Sequence, residues 1–304
     1  MRYFIITVDT EGDNLWNYKK NQLIKTENSL YLPRFQELCE KYAYKPVWLT
    51  NYEMVCDQRY VDFIKPKMEY GLCEVGIHVH AWNNPPMHQL EARYSGNPYL
   101  IEYPDDIMRQ KFSVTYNLIE EKFGIKVKSH RAGRWAMDNR YFSLLNEYNV
   151  AVDCSHTPGV SWTKTCGETI YGPDYSKVTL APSRINGILE VPMTIKQTHI
   201  SRRGSIKHKI KVLLFGEQIW LRPATSTADE MMALIRKVYK DKTIDYLEFM
   251  IHSSELMPGG SPYFPDSDSV ERLYSTMEIV FDYVKQLGYL GVTLSEYNNI
   301  HSNK

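Results

Sequence analysis

The segment Phe4-Ile5-Ile6-Thr7-Val8-Asp9-Thr10-Glu11-Gly12-Asp13 constrains the fold more than any other. Its apolar, β-branched run reads as a buried strand that ends abruptly in acid. Side chains alternate along an extended chain, so Asp9 and Glu11 leave the same face, starting about 6–7 Å apart. Asp13 shares the alternation but lies beyond Gly12, where the strand has ended. A second run, Cys73-Glu74-Val75-Gly76-Ile77-His78-Val79-His80-Ala81-Trp82, has the same grammar. His78 and His80 share one face, and imidazoles so spaced can both reach one zinc ion, a carboxylate completing three protein ligands and leaving room for water. Either run alone also reads as a solvated strand end. Together they favour a metal.

The chain between and beyond these runs repeats a strand–loop–helix rhythm. Short strands are expected at Pro46–Thr50, Lys126–Arg131, Val150–Asp153, Tyr246–His252 and Leu290–Leu294. Helices are expected at Leu30–Tyr44, Tyr60–Tyr70 (kinked or shortened at Pro66), Asp105–Phe123, from a cap at Asp138 to Tyr148, from a capping box at Thr227–Glu230 to about Tyr239, and at Ser269–Leu287. This alternation predicts a parallel α/β architecture with functional residues at the strands' C-terminal ends. The rhythm breaks between His156 and Pro223. We read residues 1–304 as one catalytic domain with an insertion at about 156–226 that contains a strand at Gly187–Met193. Asn83–Pro104, rich in Pro, Asn and Tyr, is expected to be an ordered loop beside the site.

At 304 residues and 43% hydrophobic content, the chain can build one large core. Lys+Arg and Asp+Glu both number 36, and this zero balance argues against a dedicated nucleic-acid binder. Five cysteines without paired spacing make no disulfide framework and fit a reducing compartment. No run approaches the ~20 apolar residues needed to span a bilayer. With the first strand starting at once and no signal-peptide pattern, the cytoplasm is the expected location. One local departure from neutrality is the basic run Lys196–Lys211, which includes Arg202, Arg203, Lys207, Lys209 and Lys211. The adjoining Ile206, Ile210, Leu213, Leu214 and Leu221 read first as core packing, with an amphipathic face toward a membrane or a second subunit as the alternative.

Taken in order, the motifs resemble those of the polysaccharide deacetylase family, metal-dependent hydrolases that remove N-acetyl groups from sugars. TVDTEGD stands where the family has its acidic strand end, EVGIHVHAW where it has its histidine motif, SHRAGRW (Ser129–Trp135) its arginine motif, VDCS (Val152–Ser155) its late aspartate motif and FMIHSS (Phe249–Ser254) its final histidine motif. The resemblance spans nearly the whole chain and implies an irregular (β/α) barrel with fewer than eight complete units, carrying an insertion after the fifth or sixth strand. Two departures mark an atypical branch with Asp-X-Glu and His-X-His motifs. Thr10 stands where many members carry the metal-binding aspartate, which moves that role to Glu11. Trp82 stands where the second histidine is usual, and His80 takes its place.

The resemblance then implies a division of labour. Glu11, His78 and His80 would hold a divalent cation, most simply Zn2+, with Co2+ or Ni2+ as alternatives. Asp9 would be the general base, although an exchange of roles between Asp9 and Glu11 stays open. Arg131 would orient the base carboxylate, His252 would be the general acid, and Asp153 would hydrogen-bond the His252 ring. Trp82, Trp135 and Leu256 could wall an acetyl or sugar pocket or equally pack in the core, and Arg202 and Arg203 could meet a phosphate-bearing substrate or belong to a solvated loop. His130 and His156 read as structural. The implied activity is N-deacetylation of an acetamido sugar in surface-polysaccharide biosynthesis. Hydrolysis of another amide or ureide, or a sugar-binding protein that has lost catalysis, are the alternatives.

Overall fold

The computed structural model describes residues 1–19, 22–199 and 204–302. Strand β1 (Tyr3–Thr10) is followed by helix α1 (Leu32–Lys41), β2 (Pro46–Thr50), α2 (Tyr52–Cys56), α3 (Gln58–Glu69), β3 (Glu74–Val79), α4 (Asp105–Phe123), β4 (Ser129–Ala132), α5 (Asn139–Glu147) and β5 (Val152–Asp153). A long irregular stretch then leads to β6 (Ser183–Ile185), β7 (Ile188–Glu190) and β8 (Ile195–Thr198). After these come α6 (Ile206–Phe215), β9 (Glu217–Trp220), α7 (Ala228–Lys240), β10 (Tyr246–His252), α8 (Ser267–Gln286), β11 (Leu290–Gly291) and α9 (Leu294–Ser302).

The main sheet runs β10-β1-β2-β3-β4-β5-β7-β6, with β11 beside the start of β1. All pairings are parallel except that of β6 with β7. The sheet curls into an irregular α/β barrel whose strands end together at the site. β7 belongs to this sheet, so the segment read as an insertion also supplies a stave of the barrel. The last gap is closed without a regular strand. The Leu221 amide donates to the Thr194 carbonyl at 3.0 Å, and the Met250 amide to the Leu221 carbonyl at 3.2 Å. The Glu248 amide donates to the Thr194 hydroxyl at 2.8 Å.

Strand alternation sorts side chains between two cores. Phe4 and Phe249 point outward to Phe281 of α8, ring centroids 5.6 and 5.3 Å away. Thr7, Arg131 and Glu248 point inward and bond to one another. Gly76 is needed where β3 passes β2 and β4, because a Cβ there would lie 2.4 Å from the Ser129 hydroxyl and 2.7 Å from Leu49. The caps read from sequence form: Asp138 accepts from the Tyr141 amide, and Thr227 and Glu230 make a reciprocal capping box. Pro66 lies in the last turn of α3, so it shortens nothing and the helix runs on to Glu69. The strand expected from Lys126 begins only at Ser129, and the five cysteines are free. Among the described residues, no helix is long and apolar enough to cross a membrane.

Candidate metal centre and active-site cleft

The C-terminal ends of β1, β3 and β10 open into a cleft of about 270 Å³. Asp9, Glu11, His78, His80 and His252 line its floor, and Trp16, Trp82, Trp135, Arg134 and Arg222 its walls. Glu11, His78 and His80 are buried, and their ligand atoms lie within 4.8 Å of one another. The Nε2 atoms of His78 and His80 are 3.0 Å apart, and Glu11 Oε2 is 3.8 Å and 3.3 Å from them.

This donor set fits a cation. His78 Nδ1 lies 2.8 Å from the Arg131 carbonyl, which can only accept; Nδ1 therefore carries the proton and Nε2 turns a lone pair toward Glu11. Burial pulls the His78 pKa down to about 4, so the ring is neutral at pH 7. His80 is held well below the ordinary imidazole range by burial and then by His78, His252 and Arg134. Burial, and then the charges of Asp9, Glu53 and Glu255, push Glu11 well above the usual carboxylate range. Two neutral imidazoles and a carboxylate whose charge lacks compensation, all converging on one point, form a tripod that a divalent cation would complete.

The tripod is held from behind. The Glu11 amide donates to the Ser253 hydroxyl at 3.0 Å, and Asn28 donates to the Glu11 carbonyl at 2.6 Å. Asp13 does not join the site; its carboxylate accepts from the Glu27 and Asn28 amides at 3.1 and 3.0 Å and so fixes the loop. The chain after His80 wraps around Lys111, whose buried ammonium donates to the carbonyls of Ala81, Asn84 and Pro86 at 2.7–2.9 Å. On the other side, Gly133 lets the loop after β4 press on β3: a Cβ would meet the Val79 carbonyl at 2.4 Å and the His80 ring at 2.6 Å. Arg134 and Trp135 follow with φ of 56°, a left-handed conformation uncommon for such residues and frequent at functional sites.

Asp9 stands beside the tripod. Arg131 Nη1 donates to its Oδ1 at 2.5 Å, while Oδ2 faces His252 Nε2 at 3.8 Å and His78 Nε2 at 4.0 Å. Burial works against the carboxylate, yet Arg131, His78 and His252 hold it below its ordinary range. The same guanidinium bonds Thr7 at 2.9 Å, Glu248, and the Cys154 carbonyl at 3.1 Å, reaching across the barrel from β4 to β1 and β10.

Asp153 does not reach His252. His130 and Asp153 are register partners on β4 and β5, with His130 Nδ1 2.6 Å from Asp153 Oδ1. Their face is the outer one, since His130 also meets Tyr141 of α5, its Nε2 2.8 Å from the hydroxyl. Arg131 points inward, so His130 and its partner must point outward. Glu255 and Arg222 attend His252 instead. Glu255 Oε1 lies 3.2 Å from His252 Nδ1 and 2.6 Å from Arg222 Nη2, which is itself 3.1 Å from His252 Nδ1. Burial opposes its ionisation, but Arg222 and His252 bring the Glu255 pKa down to about 2.

Trp82 stacks on His80 at 4.2 Å, and Trp135 stacks on Trp162 at 5.1 Å beside Trp220. Leu256, a candidate for pocket wall or core, does not line the cleft and is fully buried in the main core. Arg202 and Arg203 lie outside the described residues, whereas Lys196 pairs with Asp241 at 2.9 Å. Glu248, Arg222, Glu255, Trp16 and Arg134 were not singled out from sequence. Two carried a signal: Glu248 shares the alternation of His252 in an apolar strand, and Glu255 follows His252 by three residues.

No family model matches the sequence, and no curated protein matches it. Among solved structures, a provisionally assigned polysaccharide deacetylase from Mycobacterium smegmatis is similar with a TM-score of 0.54 at 12% identity, covering 99% of this chain and 91% of that one. A GH57-type branching enzyme from the hyperthermophilic archaeon Pyrococcus horikoshii gives 0.58 at 10% identity, covering 100% and 70%. A 4-α-glucanotransferase from Thermococcus litoralis gives 0.51 at 10% identity, covering 99% and 38%. At these identities the likeness establishes the fold, an irregular α/β barrel. Proteins named for such different reactions share it, so chemistry must be read from the side chains.

Proposed function

We propose that this chain is a metal-dependent hydrolase of the polysaccharide deacetylase type that removes the N-acetyl group from an acetamido sugar. The observation that carries the reading is the buried Glu11–His78–His80 tripod, flanked by an Arg131-held Asp9 and by His252. A divalent cation bound there, Zn2+ before Co2+ or Ni2+, would polarise an amide carbonyl and make water acidic at neutral pH. Asp9 keeps Oδ1 on Arg131 and leaves Oδ2 toward the cleft, the arrangement of a base that accepts a proton without swinging away. His252, with Nδ1 among Glu255 and Arg222, presents Nε2 to the same space and can return a proton to the departing amine. Trp82 and Trp135 offer flat apolar surfaces for a sugar face or methyl group.

Glycosidic bond transfer, suggested by two of the structural neighbours, fits less well. That chemistry places two carboxyl groups on either side of the bond. The carboxylates lining this cleft, Asp9 and Glu11, leave one face of one strand. Hydrolysis of another amide or ureide would use the same groups. Acetate release from free, nucleotide-linked and oligomeric acetamido sugars, measured with metal content, tests the proposal. A stoichiometric metal with acetate release supports it. Absence of both would leave a sugar-binding relic. The phosphate-bearing subset of that panel tests a role for the basic run, Arg202 and Arg203 included.

A further inference from the structure

Helix α6 leaves its apolar side uncovered. Ile206, Ile210, Leu213 and Leu214 recur at helical spacing and are 52–77% exposed, whereas Val212 faces the body and is buried. At about 100° per residue, these four fall on one stripe pointing away from the protein. Lys209 falls on one flank and Lys207 and Lys211 on the other, all exposed. The helix holds no acid. Its described ties to the body lie on the far side or at its ends: His208 to Glu217 at 3.5 Å, Leu213 and Phe215 carbonyls to His199 and Gln197 at 3.1 and 2.5 Å.

We propose that α6 docks this chain on an anionic lipid surface, the stripe entering the headgroup boundary while the three lysines meet lipid phosphates. The charge pattern selects this occupant. In a two-fold contact between copies, the same patch would face itself and bring lysines against lysines. An anionic bilayer complements both the apolar centre and the cationic margins, and lysine stems can lie along the boundary with the ammonium in water. A neutral chain with a local cationic patch gains this attraction without binding anions generally. A stripe this short gives weak, reversible attachment. β9 runs from the end of α6 into Arg222 at the cleft, so docking would bring the cleft within about 25 Å of the lipid surface along the chain. Should the deacetylase reading hold, this places lipid-carried acetamido sugars within reach.

The test is flotation of the whole protein with phosphatidylcholine vesicles, with and without about a third phosphatidylglycerol. Binding should need the anionic lipid and weaken as salt rises. The variant Lys207→Gln/Lys209→Gln/Lys211→Gln should bind on the order of a hundredfold more weakly. Leu213→Ser/Leu214→Ser should not float, with circular dichroism and metal content unchanged because these side chains face outward. No flotation of the wild type, or equal flotation with neutral vesicles, overturns the proposal. So does a solution dimer that falls apart in the leucine variant, which would make a second copy the occupant. Flotation is read without substrate, so its outcome is independent of whether acetate is released.

Discussion

Replacing Arg131 with Met removes a guanidinium that bonds Asp9, Thr7, Glu248 and the Cys154 carbonyl in a fully buried place. Two carboxylates would then sit in the barrel without their counter-charge. Breaking a buried pair from one side costs about 3–5 kcal/mol. Unfolding entropy of ~2.1 cal/mol/K per residue over 304 residues gives ~0.6 kcal/mol/K, so Tm should fall by about 5–8 °C. Urea unfolding and calorimetry, both in chelator to exclude metal linkage, measure this. The deficit should depend on pH. Burial opposes the Asp9 charge but Arg131 holds the folded pKa below 3.8, so wild type gains stability above that value and loses it as pH falls. Burial pushes Glu248 up to about 7 despite Arg131, so the gap between wild type and variant should widen from about pH 4 through neutrality and close on acidification. Adding Glu248→Gln to Arg131→Met should recover part of the loss, with about 0.5–3 kcal/mol of non-additivity. A loss under about 1 kcal/mol, or strict additivity, would refute the view of Arg131 as the strut between β1, β4 and β10.

Asp9→Asn should retain metal by elemental analysis while turnover falls at least a hundredfold; an emptied site would instead show that Asp9 and Glu11 exchange roles. His78→Ala and His80→Ala should each lose stoichiometric metal, and full retention in the His80 variant would remove that ligand. Glu255, brought down to about 2 chiefly by Arg222 against the effect of burial, adds stability above its unfolded pKa that is lost as pH falls from about 4.5 through 2. Acid unfolding of Glu255→Gln should therefore lack a few kcal/mol of that pH-dependent stability. Lys111→Met would leave three carbonyls without their donor, and should lower stability by about 3 kcal/mol and loosen Ala81–Pro86, visible as faster amide exchange there.

Wherever side-chain period and chain ends suffice, the sequence was readable. Alternation put Asp9 with Glu11 and His78 with His80, and caps at Asp138 and Thr227 set two helices. The same parity rule, carried one step further, separates Asp153 from His252: once Arg131 faces inward, His130 and its register partner cannot. The partners of His252 were less legible because Arg222 comes from the loop after β9, far from any strand-end pattern. Leu256 is open from sequence between pocket wall and core, and the short turn after β10 directs it into the core. Leu221 takes the core-packing reading and is buried at the barrel's closure, whereas its neighbours on α6 stay exposed. No local pattern encodes that closure, which depends on which distant segment arrives to fill the gap.

A barrel ringed wholly by strands would resist opening equally at every stave. Here one joint, between Thr194, Leu221 and the β10 backbone, is made of two peptide hydrogen bonds and a threonine hydroxyl, with the Tyr246 hydroxyl of β10 donating to the Pro192 carbonyl beside it. Few hydrogen bonds and irregular backbone mark it as a place of low local opening energy. Arg222 lies one residue beyond it, at the cleft wall, whereas Asp9 and Glu11 stand at the end of β1 and His78 and His80 at the end of β3, strands paired on both sides. The tripod thus hangs from fully paired staves, while the Arg222 wall and the end of β10 lean on the joint.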